Sequence, residues 1–330
     1  MKKLIAFSLI CCMAFSITAC QGKTDDALVD SIADSPSVST PKESDELPED
    51  SQMKKETAIQ EPEKQSLSEM PVQQSTSAHE MRSFYCTHTD GKKIYTELYT
   101  PQNKSDVLPL VILGHGYTSS YRYLRGYAEY LADREIACCI FDFCGGSDYS
   151  LSDGSMLDMS VVTQMLDMEL VLNTLKEYED FDPEQIYIGG ESQGGMVAAL
   201  NAAELQDQIA GLILLYPALY IPEVMRERFP DRSAIPDHMN MAGATVGRRY
   251  ADDVYEIDAY KEITKYSGKV LILHGDKDGM VPLSYSQQAE QEYENAKLVI
   301  LPGGGHGIYN GALLETACEE IEHFLTDETR

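Results

Sequence analysis

The run Gly190-Glu191-Ser192-Gln193-Gly194 constrains this chain more than any other stretch of it. It follows a short β-branched and aromatic run, Ile186-Tyr187-Ile188, and leads into Gly195-Met196-Val197-Ala198-Ala199, the small-residue opening of a helix. A serine on so sharp a strand-to-helix turn has a strained backbone, and the residues two before and two after it must be small for strand and helix to approach. The turn pushes the Ser192 hydroxyl outward, where a substrate can reach it. The fold must therefore offer a strand with an accessible carboxyl end and a helix packed back against it.

Hydrophobic periodicity supplies that setting on both sides of the elbow. Ser83 to His88 and Lys93 to Tyr99 are alternating runs around Asp90-Gly91, which predicts an antiparallel hairpin. Leu108 to Leu113 and Ile136 to Phe143 read as buried strands. Tyr121 to Arg134 and Val161 to Tyr178 carry apolar residues at helical spacing. Beyond the elbow, Leu212 to Tyr216, Val270 to Leu273 and Lys297 to Leu301 are further strands, with helices near Ser284 to Tyr293 and Ala312 to Leu325. Apolar runs alternating with amphipathic helices specify an α/β domain around a mostly parallel sheet with helices on both faces. Between residues 217 and 268 the rhythm breaks into prolines interleaved with Tyr220, Met225, Phe229, Met239, Met241 and Tyr250, which predicts a short inserted lid.

The N-terminal quarter is of another kind. Residues 1–19 have Lys2 and Lys3, an apolar run and then small residues, the pattern of an export signal too short for a conventional spanning helix. The signal ends in Ile17-Thr18-Ala19-Cys20, which resembles the lipobox of bacterial lipoproteins. That resemblance implies a lipidated Cys20, a lipid anchor in the cell membrane and a protein facing its extracytoplasmic side. Residues 21 to 80 are rich in Ser, Pro, Glu, Asp and Gln with almost no apolar periodicity, so 20–80 is expected to be a disordered acidic tether and 81–330 the folded domain. The chain carries 26 basic and 54 acidic residues, a net charge of −28, which excludes nucleic acid as a partner because phosphates demand the opposite sign. Beyond the export segment the cysteines are Cys86, Cys138, Cys139, Cys144 and Cys318, an odd number that cannot all pair internally. Cys138 and Cys139 lie in an apolar run suited to small buried hydrophobes, and no C-x-x-C pair or histidine cluster points to zinc.

A serine hydroxyl is a weak nucleophile unless a base takes its proton, and the base needs a third group to fix its tautomer. Leu271-Ile272-Leu273-His274-Gly275-Asp276-Lys277-Asp278 is a strand ending in a polar turn that presents an acid, and Gly303-Gly304-Gly305-His306-Gly307 holds a histidine in a glycine-rich loop. Asp276 is the rival acid, with turn capping as its other use, and His274 sits before the turn as a strand-end residue. The oxyanion of an acyl-transfer intermediate needs two N–H donors. Gln193 follows the serine, and the loop Gly114-His115-Gly116-Tyr117 after an earlier strand nominates the Tyr117 N–H.

With Phe141-Asp142-Phe143 and Cys144-Gly145-Gly146-Ser147, these segments resemble the serine hydrolases of the α/β-hydrolase superfamily across nearly all of 81–330, and within it bacterial cinnamoyl and feruloyl esterases. The chain departs from the subfamily where Glu191 replaces the histidine common before the nucleophile and where Cys144-Gly145-Gly146-Ser147 replaces a Gly-His-Gly type turn. The resemblance implies the α/β-hydrolase fold, Ser192, Asp278 and His306 as a triad in the usual chain order, Tyr117 and Gln193 as the oxyanion hole, and a small-molecule ester substrate. No metal or organic cofactor is expected. Two alternatives stand beside esterase activity: a serine peptidase or acyl-peptide hydrolase with the same triad, and a non-catalytic surface binding lipoprotein. Arg248 and Arg249 are placed to bind a substrate carboxylate or, with Asp252 and Asp253 close by, to form surface ion pairs.

Overall fold

A computed structural model describes residues 64–102 and 107–327. The expected signal (1–19), Cys20 and most of the expected tether lie outside the described residues. Numbered in chain order, the strands are β1 (Gln74–Ser75), β2 (His79–Thr87), β3 (Lys93–Pro101), β4 (Leu108–Gly114), β5 (Ala137–Phe141), β6 (Phe181–Glu191), β7 (Gly211–Leu215), β8 (His238–Met241), β9 (Ala244–Gly247), β10 (Lys269–Gly275) and β11 (Ala296–Leu301). The helices are α1 (Arg125–Ala132), α2 (Val161–Lys176), α3 (Gln193–Leu205), α4 (Ile221–Arg228), α5 (Arg249–Asp252), α6 (Ala259–Ile263), α7 (Leu283–Glu292) and α8 (Gly311–Thr326).

All strands except β8 and β9 join one sheet in the order β1-β2-β3-β5-β4-β6-β7-β10-β11. Pairing is antiparallel from β1 through β3 to β5 and parallel from β5 onward. The Asp90-Gly91 turn closes the first hairpin as expected, with Gly91 at φ 90°. The central strands are apolar at successive positions because both faces are covered. Leu110 and Ile112 pack with Met168 and Leu172 of α2 and with α3, while Val111 and Leu113 pack on the other face with Tyr127 and Leu131 of α1 and Ile321 of α8. Each such fully buried aliphatic side chain is worth about 1.5–3 kcal/mol. Cys138 and Cys139 are buried free thiols in β5, one on each face.

The folded body begins earlier than the expected boundary at residue 81. Leu67 is 1% exposed, its N–H donates to Asp180 Oδ2 at 2.6 Å, and Gln65 bridges Tyr178 in parallel. β1 and the start of β2 also precede Met81. Leu67, the partly buried Met70 and a few hydrogen bonds anchor this segment, too little to produce a periodic signal.

The insertion between β7 and β10 holds α4, the β8–β9 hairpin, α5 and α6. Its Met225, Met239 and Tyr250 are buried in the main core cluster, so these apolar residues seat the insertion on the body. Ser160 caps α2 with a reciprocal Thr163 pair, and its hydroxyl also donates to Asp253 Oδ2 at 2.6 Å, pinning α5 to the body. Arg249 Nε pairs with Asp253 at 3.1 Å and Arg248 approaches Asp252 at 3.8 Å, the surface ion pairs weighed above. Among the described residues no helix is long and apolar enough to cross a membrane.

Candidate active site

β6 is flanked by β4 and β7, so its carboxyl end opens between the ends of two parallel neighbours. Ser192 follows at φ 51° and ψ −115°, a conformation that costs about 1–3 kcal/mol for a residue with a Cβ. The bonds that impose it are visible. Ser192 N–H donates to Leu215 O at 2.9 Å, and Ser192 O accepts from Ala218 N at 2.9 Å and Met196 N at 3.1 Å. The flanking glycines are sterically required, since a Cβ on Gly194 would stand 2.4 Å from His115 O and one on Gly190 2.6 Å from the Gly194 backbone.

Asp278 and His306 meet as the sequence predicts. Asp278 Oδ2 lies 2.8 Å from His306 Nδ1, while Oδ1 accepts the Met280 and Val281 N–H groups at 2.8 and 2.9 Å. The Asp278 side chain is shielded from solvent. Burial alone raises its pKa, but hydrogen bonds from His274, His306 and the two backbone N–H groups outweigh it and hold the carboxyl well below its usual range. A charged acceptor on Nδ1 leaves the lone pair of the neutral imidazole on Nε2, the arrangement a general base requires. Asp276 instead accepts Gly303 N–H at 2.7 Å as a turn cap, and buried His274 bonds Ser286 Oγ and Val281 O.

Ser192 and His306 share the sheet edge, but among the described residues no hydrogen bond joins Ser192 Oγ to the imidazole. Their connection runs through Tyr216, whose ring packs edge-on against His306 with centroids 4.8 Å apart. The Tyr216 hydroxyl donates to Glu191 Oε2 at 2.6 Å. Glu191, 1% exposed, also accepts Gly116 N–H and Ser119 Oγ–H on Oε1, both at 3.1 Å. Burial and the adjacent Glu191 carboxylate push the Tyr216 phenol well above its ordinary pKa, so it remains a donor. In the sequence Glu191 stood out only as a departure from the subfamily. Its role depends on partners 25 and 75 positions away, and local spacing carries no trace of them.

The loop that carries Tyr117 passes close to the serine, and Gln193 follows the serine directly. Gly116 is so close that a Cβ there would lie 3.2 Å from Ser192 Cβ. Gln193 is the first residue of α3, where N–H groups have no intrahelical partner. Their side chains are held by the insertion: Tyr117 OH donates to Met241 O at 2.9 Å, and Tyr250 OH donates to Gln193 Oε1 at 2.8 Å. Gln193 Nε2 in turn donates to Gln164 at 2.8 Å. Gln164 and Tyr250 gave no signal of this part, because polar contacts between distant elements leave no periodic pattern.

An elbow serine, a strand-end acid and a loop histidine on the carboxyl edge of such a sheet define a hydrolase of the α/β class. Residues 105–252 match the family described as serine aminopeptidase, S33, and residues 250–330 the family described as TAP-like protein. The esterase Est1E from Butyrivibrio proteoclasticus, solved with ferulic acid bound, is 30% identical, with a TM-score of 0.67 over 74% of this chain and 100% of its own. An acetyl xylan esterase from Paenibacillus sp. R4 shares the fold at 17% identity, with a TM-score of 0.60 over 78% of this chain and 86% of its own. No curated protein matches. The chain belongs to the α/β-hydrolase superfamily.

Proposed function

We propose that the protein is an extracytoplasmic serine hydrolase that cleaves carboxylic esters through an acyl-enzyme. The observation that carries this reading is the Asp278–His306 pair on the same sheet edge as the strained, outward-turned Ser192. Ser192 Oγ attacks the ester carbonyl as His306 Nε2 takes its proton, and the Tyr117 and Gln193 N–H groups receive the oxyanion. The protonated His306, its cation balanced by Asp278, returns the proton to the departing alcohol. Water then enters, is deprotonated by His306, attacks the acyl carbon and restores Ser192 Oγ–H.

For the substrate, the similarity to Est1E supports a cinnamoyl or feruloyl acyl group. A cleft of about 690 Å³ lies between the β8–β9 hairpin tip and the 147–157 segment, lined by Ser147, Asp148, Ser150, Ser152, Ser155 and Thr245 among others. An adjoining cleft reaches Thr118, next to the oxyanion loop. Such a hydroxyl-rich wall suits a polyhydroxylated alcohol portion. The Ile17-Thr18-Ala19-Cys20 lipobox supports attachment to the cell membrane through a lipidated Cys20.

A peptidase reading is favoured by the serine aminopeptidase description of the matched family. Esters have better leaving groups than amides, so parallel turnover of aryl esters and aminoacyl amides separates the two readings. Wild-type protein is expected to show a burst of aryl alcohol equal to the enzyme concentration and to be labelled by a fluorophosphonate. Ser192→Ala is expected to lose both while keeping its circular dichroism. Undiminished turnover by Ser192→Ala would sink the assignment.

A further inference from the structure

Away from the catalytic edge, three segments distant in sequence bring a nitrogen, a sulfur and a carboxylate together. His88 follows β2, Cys144 lies in the loop after β5, and Asp167 is on the buried face of α2. Their candidate ligand atoms all lie within 4.8 Å of one another. His88 Nε2 is 2.7 Å from Asp167 Oδ1, and the other carboxylate oxygen accepts Cys144 N–H at 2.8 Å, which fixes its orientation. Cys144 is the half-buried member of the described cysteines, the other four being buried. The cluster forms part of the wall of an open cavity of about 220 Å³ that also meets Asp90, Ser155, Asp158 and Thr163.

We propose that His88, Cys144 and Asp167 form a binding site for a divalent transition metal, with zinc the best-matched ion. Zinc takes N, S and O donors with bonds of about 2.0–2.3 Å, so neighbouring ligands of a tetrahedral site stand about 3.3–3.8 Å apart. The present separations run from 2.7 Å between His88 and Asp167 to no more than 4.8 Å. The His88–Asp167 contact is a hydrogen bond whose proton occupies the line the ion would enter, and it must open by about half an ångström. Three protein ligands leave a fourth position, and the cavity gives it to water. The mixed donor set argues against calcium and magnesium, which select oxygen ligands.

Binding exchanges protons for metal. The Cys144 thiol, held protonated by its burial and by the neighbouring Asp167 charge, loses its proton to solvent as the Zn–S bond forms. The proton on His88 Nε2 also leaves that nitrogen as the Zn–N bond forms, to solvent from the protonated ring or to Nδ1 in the neutral one. No electron is transferred. The bound ion ties the β2–β3 hairpin and the loop after β5 to α2, elements on which none of the proposed catalytic residues sits.

The test uses the full chain without a polyhistidine tag. Titration with Co²⁺ as a spectroscopic probe is expected to give a thiolate-to-metal charge-transfer band in the near ultraviolet and intense tetrahedral visible bands, saturating at one ion per chain. Zn²⁺ should displace it. At about one hundred times its Kd, Zn²⁺ should raise Tm by about 5–10 °C. Cys144→Ser is expected to lose the thiolate band, and His88→Ala to weaken binding about 100-fold, with aryl-ester turnover unchanged in both. Absence of the thiolate band in wild type, or Zn²⁺ affinity unaltered in both variants, overturns the proposal. Both variants are partly exposed substitutions, so a loss of binding with native circular dichroism supports the site directly.

Discussion

Glu191→Gln is the substitution whose effect the structure defines most closely. The carboxylate accepts from Gly116 N–H, Ser119 Oγ–H and Tyr216 OH, and so joins the loop after β4, the elbow and the ring packed against His306. A glutamine with its oxygen toward Gly116 and Ser119 keeps two of these bonds. Its NH₂ then faces the Tyr216 oxygen, so the short O–H···carboxylate bond is exchanged for a neutral N–H···O bond. A hydrogen bond to a charged group is worth about 1.5–3 kcal/mol and a neutral one about 0.5–1.5, which leaves a loss of about 1–2 kcal/mol. Expressed in the transition state, that is about a 5–30-fold fall in kcat/KM. Because Glu191 acts through Tyr216 and Gly116 rather than on the substrate, kcat should carry the loss with KM little changed. Tm should fall by about 2–8 °C. Tyr216→Phe removes the other end of the bond, and a double-mutant cycle on kcat/KM should return a coupling of about 1–2 kcal/mol. If Glu191→Gln stays within twofold of wild type, or the two effects simply add, the carboxylate does not organise the site.

Two further outcomes follow from the same geometry. Gly194→Ala puts a Cβ within 2.5 Å of two backbone oxygens at the end of β4, and neither α3 nor β4 can retreat, so soluble folded protein is expected to be lost at 37 °C, as read by expression and circular dichroism. The depressed pKa of Asp278 means that its carboxylate stabilises the fold above the unfolded-state value near 4, and that this contribution is lost as pH falls from there through the folded-state value. Asp278→Asn should therefore flatten the acid limb of the Tm-versus-pH curve below about pH 4, while lowering kcat by about 10²–10⁴ at neutral pH. An unchanged acid limb would contradict the pairing.

Much of the candidate site was legible because its parts are local. The elbow announces itself through glycines that sit within two residues of Ser192, and Asp278 and His306 each stand at the end of a strand whose apolar run is continuous. The two candidate acids occupy different sides of one turn, Asp276 capping Gly303 and Asp278 facing His306. The start of the folded body was misplaced for the opposite reason. Leu67 is a single apolar residue whose burial depends on Asp180 and Tyr178, more than a hundred positions away.

The insertion shows the same division. Its broken rhythm was plain, but which of its apolar residues pack on the body was not. The structure buries Met225, Met239 and Tyr250 and uses Tyr250 and Met241 to hold the side chains of Gln193 and Tyr117.

By itself the sequence determined the order of the main strands and helices, the α/β class and the residues offered at the sheet's carboxyl edge, since backbone periodicity and turn chemistry act over a few residues. Only the tertiary structure decided that Glu191 and Tyr216 bind the elbow, the loop after β4 and His306 into one network, and that His88, Cys144 and Asp167 share a cavity. Those contacts join side chains from separate elements, and their energies depend on burial and distance in space, which chain order does not encode.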